Sequence, residues 1–149
     1  MKPAGVAAPR TTGNVVVIVD TTVWVDYLNG LSTPEVEWLE REALRQRLGL
    51  VDLMLCEILQ GLSTDDEAAR ILRHLRRFEI FETGGVDLAT AAARYCRRLR
   101  ARGKTIRKTI DCLIATFCME HDYALLHCDR DFDAFEAFLE LQVVHPGAA

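Results

Sequence analysis

A chain of 149 residues is most simply one domain, long enough to bury about 68–70% of its unfolded surface without a metal or disulfide staple. Half of it is apolar and 27% is charged, which is ordinary for a globular protein. A formal charge of −4 argues against a protein that coats nucleic acid with general positive charge, though it leaves room for a local basic groove. The five cysteines, Cys56, Cys96, Cys112, Cys118 and Cys128, are odd in number and contain no C-x-x-C pair. They read as free, mostly buried thiols in a reducing compartment rather than as a disulfide framework or zinc site.

Residues 1–14, MKPAGVAAPRTTGN, are small, polar and turn-prone, and read as a disordered leader ahead of a single domain over 15–149. No export signal or membrane span is evident, which points to the cytoplasm. Val15–Val19 is a continuous β-branched run, expected to be a strand buried on both faces as in a parallel sheet. A short helix is expected from about Thr22 to Leu28, closed by Asn29-Gly30. Thr33 and Pro34 then supply an N-cap and first position for a helix running to about Leu48. Leu48–Val51 fits a small second strand, followed by a helix over Asp52–Gln60 that stops at Gly61.

Thr64–Arg76 predicts another helix, with a basic face, and Phe78–Phe81 a strand bounded by Thr83-Gly84-Gly85. Val86–Arg102 is an alanine- and arginine-rich helix ending at Gly103, and Thr109–Glu120 a helix with a nearly all-apolar interior. Tyr123–Leu126 is a strand, Phe132–Leu139 a short helix and Leu141–Val144 a last strand. Strands alternating with helices predict an α/β fold, with a central parallel sheet of about four or five strands covered by helices on both faces.

Ligands of such sheets bind outside the carboxyl ends of the strands. Asp20 directly follows the first strand, and Asp129 follows the Tyr123–Leu126 strand, so both belong to that edge. Glu57 and Asp111 stand in apolar helical surroundings, DLMLCEILQGL and KTIDCLIATFCM. Each acid alone has a structural explanation: Asp20 and Asp111 suit the first turns of helices, and Glu57 can reach solvent or an arginine. Together they change the balance. Two carboxylates about 4 Å apart repel by about 4 kcal/mol at an effective dielectric near 20, so a cluster takes up protons or binds a cation. Oxygen-only ligands favour Mg²⁺ or Mn²⁺, and such a site suits attack of water on a phosphodiester.

Four segments, VDTTVWVDYLNG, EILQGL, KTIRKTIDCLIA and LLHCDRDFDAF, come in an order and spacing that resemble the PIN-domain ribonucleases, in particular the VapC-type toxins of bacterial toxin–antitoxin pairs. The resemblance covers about residues 15–144. It implies a single PIN-like domain, an acidic quartet of Asp20, Glu57, Asp111 and Asp129 as catalytic and metal-ligating residues, and Mg²⁺- or Mn²⁺-dependent endonuclease action. It further implies an RNA substrate, with structured tRNA the expected class, products bearing a 5′-phosphate and a 3′-hydroxyl, a homodimer, and a cognate VapB-type antitoxin that blocks the site. His127 departs from the pattern, which often has Ser or Thr there; it is a metal ligand, a proton shuttle or, on the preferred reading, a hydrogen-bonding side chain. Thr22 is expected to support Asp20 as well as to start the helix, Asp131 to cap the short helix or stand behind the metal ligands, and Asp26 to be solvated surface.

Residues 88–110 hold eight of the eighteen Lys and Arg and no acid. A solvated helix face would explain them, yet the run ends in the loop that delivers Asp111. Lys104, Arg107 and Lys108 are therefore expected to meet RNA phosphates. Three cysteines, Cys56, Cys112 and Cys128, adjoin proposed acids. They are expected to be packed as small hydrophobes, with redox sensitivity at Cys128 as the sharper alternative. A non-catalytic RNA-binding or complex-forming scaffold is the main rival. An acyl-phosphate phosphatase is disfavoured by Asp20-Thr21-Thr22 in place of D-x-D, and a dinucleotide enzyme by the lack of G-x-G-x-x-G after the first strand.

Overall fold

The computed structural model describes residues 15–147, and the leader expected over residues 1–14 lies outside them. Among the described residues four strands, Val17–Val19 (β1), Leu48–Val51 (β2), Glu79–Phe81 (β3) and Ala124–Leu126 (β4), lie parallel in the order β3-β2-β1-β4. The β-branched run is central because both of its faces must be covered: Val17, Ile18 and Val19 are each at most 3% exposed. Its register, Val17 opposite Leu48 and Ala124, aligns the carboxyl ends of β1 and β4.

The helices are Thr21–Leu28 (α1), Pro34–Glu42 (α2), Asp52–Gln60 (α3), Asp65–Leu75 (α4), Val86–Ala101 (α5), Thr109–His121 (α6) and Asp133–Leu139 (α7). They flank the sheet in two groups, α1 packing with α2 and α3, and α5 with α6 and α7. Their starts follow their capping chemistry: the side chains of Asp20, Thr33 and Thr64 accept N–H bonds at the first turns of α1, α2 and α4. None of the described helices is long and apolar enough to cross a membrane.

Two boundaries differ from expectation. Helix α2 ends at Glu42 rather than near Leu48, because residues 43–47 offer no apolar stripe to bury; Leu44, the apolar candidate there, is 100% exposed. The strand expected over Leu141–Val144 is reduced to one parallel bridge, Leu125 to Val143, with Leu125 N–H donating to the Gln142 carbonyl and Val144 N–H to the Leu125 carbonyl. This segment still covers the outer edge of β4. Its start is drawn toward α7, where Leu141 N–H donates to the Phe135 carbonyl, and Pro146 follows it.

The cysteines also depart from the reading as five free thiols. Cys96 of α5 and Cys112 of α6 form a disulfide across Cα atoms 6.7 Å apart. The packing of α5 on α6 joins residues that their spacing in sequence does not pair. Cys118 is buried and free, whereas Cys56 and Cys128 are exposed, against the expectation that both pack inward.

Gly49 shows how tightly β2 is enclosed. A Cβ added there would lie 2.6 Å from the Glu79 carbonyl oxygen and 2.8 Å from a ring carbon of Phe81. Gly49→Ala should therefore lower stability by about 1–3 kcal/mol in urea unfolding, because backbone and ring must both move. An unchanged midpoint would show that β3 yields freely.

Candidate active site

Asp20 leaves β1 at the carboxyl edge of the sheet, 3% exposed, with its N–H donating to the Leu126 carbonyl at 2.9 Å. Its Oδ2 accepts the Thr22 N–H at 3.2 Å and the Thr22 hydroxyl at 2.8 Å. The same Thr22 hydroxyl accepts the Cys128 N–H at 3.3 Å. One side chain thus joins the loop after β1 to the loop after β4, and Thr22 both supports Asp20 and starts α1.

The four acids singled out in the sequence line one cleft of about 480 Å3, together with Thr21, Asp26, Lys108 and Cys128. Asp111 enters from the first turn of α6 and is 5% exposed. Glu57 comes from α3 and accepts the Thr21 hydroxyl at 3.0 Å. Asp129 is half-buried, and its Oδ1 accepts the Asp131 N–H at 2.9 Å, capping a short 3-10 turn over Arg130–Phe132.

The capping role expected of Asp131 thus falls to Asp129. Asp131 instead turns its own carboxylate inward: one oxygen each from Asp111, Asp129 and Asp131 lie within 4.8 Å of one another. Asp111 Oδ2 is buried without a hydrogen-bond partner. An orphaned buried carboxylate oxygen beside two further carboxylates suits a hard divalent cation, which would supply the missing charge and ligand field.

The electrostatics follow from this crowding. Burial pushes the Asp20 carboxyl up to about 6, against the Thr22 hydrogen bonds that hold it down, and Glu57 raises it slightly further. Burial also pushes Asp111 up to about 7, aided by Asp129, Asp20 and Asp131 and opposed by Lys108. His127 accepts the Asp129 N–H on Nδ1 at 3.1 Å and packs against Phe132, ring centroids 5.0 Å apart; burial lowers its pKa. Its contacts are those of a neutral hydrogen-bonding side chain that shapes the loop. Burial together with Glu35, Asp26 and Asp20 pushes the Cys128 thiol up to about 12, which suppresses the thiolate needed for redox reactivity although the residue is exposed.

The basic residues divide. Lys108 lines the acidic cleft, whereas Lys104 lines a neighbouring hollow and Arg107 is exposed on the loop that carries both. Two contributors had no clear sequence signal. Thr21 meets Glu57 only because α1 packs on α3, and Asp26, expected on the solvated surface, is half-buried at the cleft for the same geometric reason. Asp131, expected as a cap or behind the metal ligands, comes beside Asp129 because the tight turn brings the two carboxylates together.

A pH series isolates the cost of the buried acid. Asp20 has a pKa of about 6 in the fold and about 3.9 in an unfolded chain, so in metal-free protein its ionisation destabilises the native state. The penalty is absent below about pH 4, grows between about pH 4 and 6, and is complete above that. Asp20→Asn removes it, so the variant should gain about 2–3 kcal/mol on wild type between pH 4 and 7.5, measured by urea unfolding in EDTA. An offset independent of pH would mean that Asp20 ionises as freely in the fold as in the unfolded chain.

Comparison with known proteins agrees in extent with the described domain. A family model described as PIN domain matches residues 17–137. The VapC ribonuclease Mb1587 of Mycobacterium bovis is 29% identical over 130 residues, covering 85% of this chain and 96% of that protein. Among solved structures, VapBC2 from Rickettsia felis, bound to a DNA fragment from its promoter, superposes with a TM-score of 0.70 at 17% identity, covering 87% of this chain and 97% of that one. VapBC-5 from Mycobacterium tuberculosis, a member of the VapBC family of toxin-antitoxin systems, superposes with a TM-score of 0.61 at 21% identity, covering 88% and 98%. At these identities the two superpositions are a likeness of fold.

Proposed function

The chain belongs to the PIN-domain family, and on that premise we propose that it is a divalent-metal-dependent endoribonuclease, the toxin of a toxin–antitoxin pair. The observation that carries the reading is the convergence of Asp111, Asp129 and Asp131 within 4.8 Å, in a cleft that Asp20 and Glu57 also line. In this reading Asp20, Asp111 and Asp129 hold Mg²⁺ or Mn²⁺, with Asp131 beside them. The bound ion would lower the pKa of the attacking water and offset charge on the phosphate.

The residues divide the remaining work. Glu57, oriented by the Thr21 hydroxyl, accepts a proton from the water as its oxygen attacks phosphorus. Thr22 keeps Asp20 aimed from the end of β1 and ties the Asp129 loop to it. Lys108, close enough to Asp111 to lower its pKa, meets a non-bridging phosphate oxygen. The new P–O bond forms as the bond to O3′ breaks, leaving a 5′-phosphate and, after protonation, a 3′-hydroxyl. No neighbouring 2′-hydroxyl takes part. An RNA substrate, with tRNA the first class to examine, implies action in the cytoplasm. A VapB-type antitoxin covering the cleft and a homodimer complete the proposed assembly.

Sequencing of 5′-phosphate RNA ends after induced expression tests the activity. Wild type should create new ends at discrete sites, and Asp20→Asn and Asp111→Asn should slow their appearance by more than about 100-fold, the loss of several kcal/mol of charge stabilisation. Identical end profiles for wild type and both variants would sink the nuclease assignment. Metal binding has a readout of its own. Saturating Mn²⁺ should raise the Tm of wild type by at least about 5 °C and that of Asp111→Asn by much less. A scaffold without a metal site would show no such shift.

A further inference from the structure

A second hollow, of about 340 Å3, adjoins the acidic cleft and is lined by Lys104, Ile106, Arg130, Asp133 and Phe138 among others. The two are contiguous, because Asp131 both lines this hollow and contributes to the carboxylate cluster. Phe138, 37% exposed, is the one aromatic among the large apolar side chains that the described residues expose. Two cations lie over its ring, the Lys104 ammonium of the lining 5.9 Å from the ring centroid and the Arg102 guanidinium, outside the lining, 5.4 Å from it; Arg130 is the second cation of the lining.

This composition fits one class of ligand. Phe138 is partly exposed with two cations over its ring, and a nucleobase stacks there as those cations turn to the phosphates on either side of it.

We propose that this hollow is a nucleotide subsite, stacking one unpaired base on Phe138 while Arg102, Lys104 and Arg130 hold the adjoining phosphates, next to the phosphate that is cut. The proposal rests on the ribonuclease reading and narrows it. A base paired within an RNA helix cannot turn its face to a protein ring, so the strand must be single-stranded at this position. The scissile bond therefore lies in a loop, bulge or unpaired end, and the base one step from it is held by stacking rather than by sequence readout.

The test uses the full chain in EDTA and fluorescein-labelled 12-nucleotide single-stranded RNA of random sequence, followed by anisotropy. Phe138→Ala should weaken binding by about 5- to 100-fold, the range for loss of one stacked base, while Phe138→Tyr should bind like wild type. A 12-nucleotide abasic ribose-phosphate strand should bind wild type and Phe138→Ala alike. Three results overturn the subsite: no measurable binding of RNA by wild type, equal affinity of wild type and Phe138→Ala for RNA, or an equal loss on the abasic strand. A change of mass by light scattering in Phe138→Ala also overturns it, because the ring would then belong to a contact between copies of the chain. Adding Mn²⁺ separates the two readings. Cleavage lost in Asp20→Asn but with binding indifferent to Phe138 removes the subsite alone. Phe138-dependent binding with no cleavage removes the nuclease reading and leaves a binding site.

Discussion

The whole arrangement depends on holding several carboxylates close together at the edge of a buried sheet against their own repulsion. At about 4 Å two of them repel by about 4 kcal/mol even at an effective dielectric near 20. Burial adds to this, and Asp20 and Asp111 both titrate well above the ordinary carboxylate range. Something must therefore prevent the side chains from swinging apart. For Asp20 it is β1, whose three residues are buried and paired with β4, Val17 and Ile18 also with β2, with the Asp20 N–H bonded to the end of β4. For Asp111 it is the first turn of α6, whose following residues are almost all buried.

Small polar groups then set the finer geometry. Thr22 accepts from one loop and donates to the acid of another, so the first and last acidic motifs cannot move independently. Thr21 fixes Glu57, and the Asp129 carboxylate is committed through one oxygen to capping the turn that presents Asp131. His127 braces that loop from behind with Nδ1. These bonds place the acids while leaving Asp111 Oδ2 without a partner, the kind of unmet demand that a cation satisfies.

Around this centre charge is unevenly distributed, which reconciles an acidic protein with a polyanionic substrate. The loop from Gly103 to Lys108 sends Lys108 to the acidic cleft and Lys104 to the hollow beside it. The aromatic ring of Phe138 lies on the second side, not the first. The carboxylate cluster and the basic, aromatic hollow are thus adjoining surfaces that share the Arg130–Phe132 turn.

Much of this was legible in sequence because it is local. Continuous β-branched residues marked the central strand, Thr33-Pro34 and Thr64 marked helix starts, and acids in apolar surroundings stood out because burial of an unpaired carboxylate is costly. The end of α2 and the weakness of the last strand were not legible, since each depends on what the segment packs against. Which carboxylate oxygens converge was also beyond the sequence. Asp20 and Asp129, expected at one sheet edge, line one cleft because β1 and β4 are neighbours in the sheet, but the oxygens that converge are those of Asp111, Asp129 and Asp131. The same holds for Cys96 with Cys112 and for Thr21 with Glu57, where helix packing alone decides the contact. Sequence by itself determined which residues needed burial, capping or charge compensation. Tertiary structure decided which of them satisfy one another, because distance between side chains is set by crossovers and packing rather than by spacing along the chain.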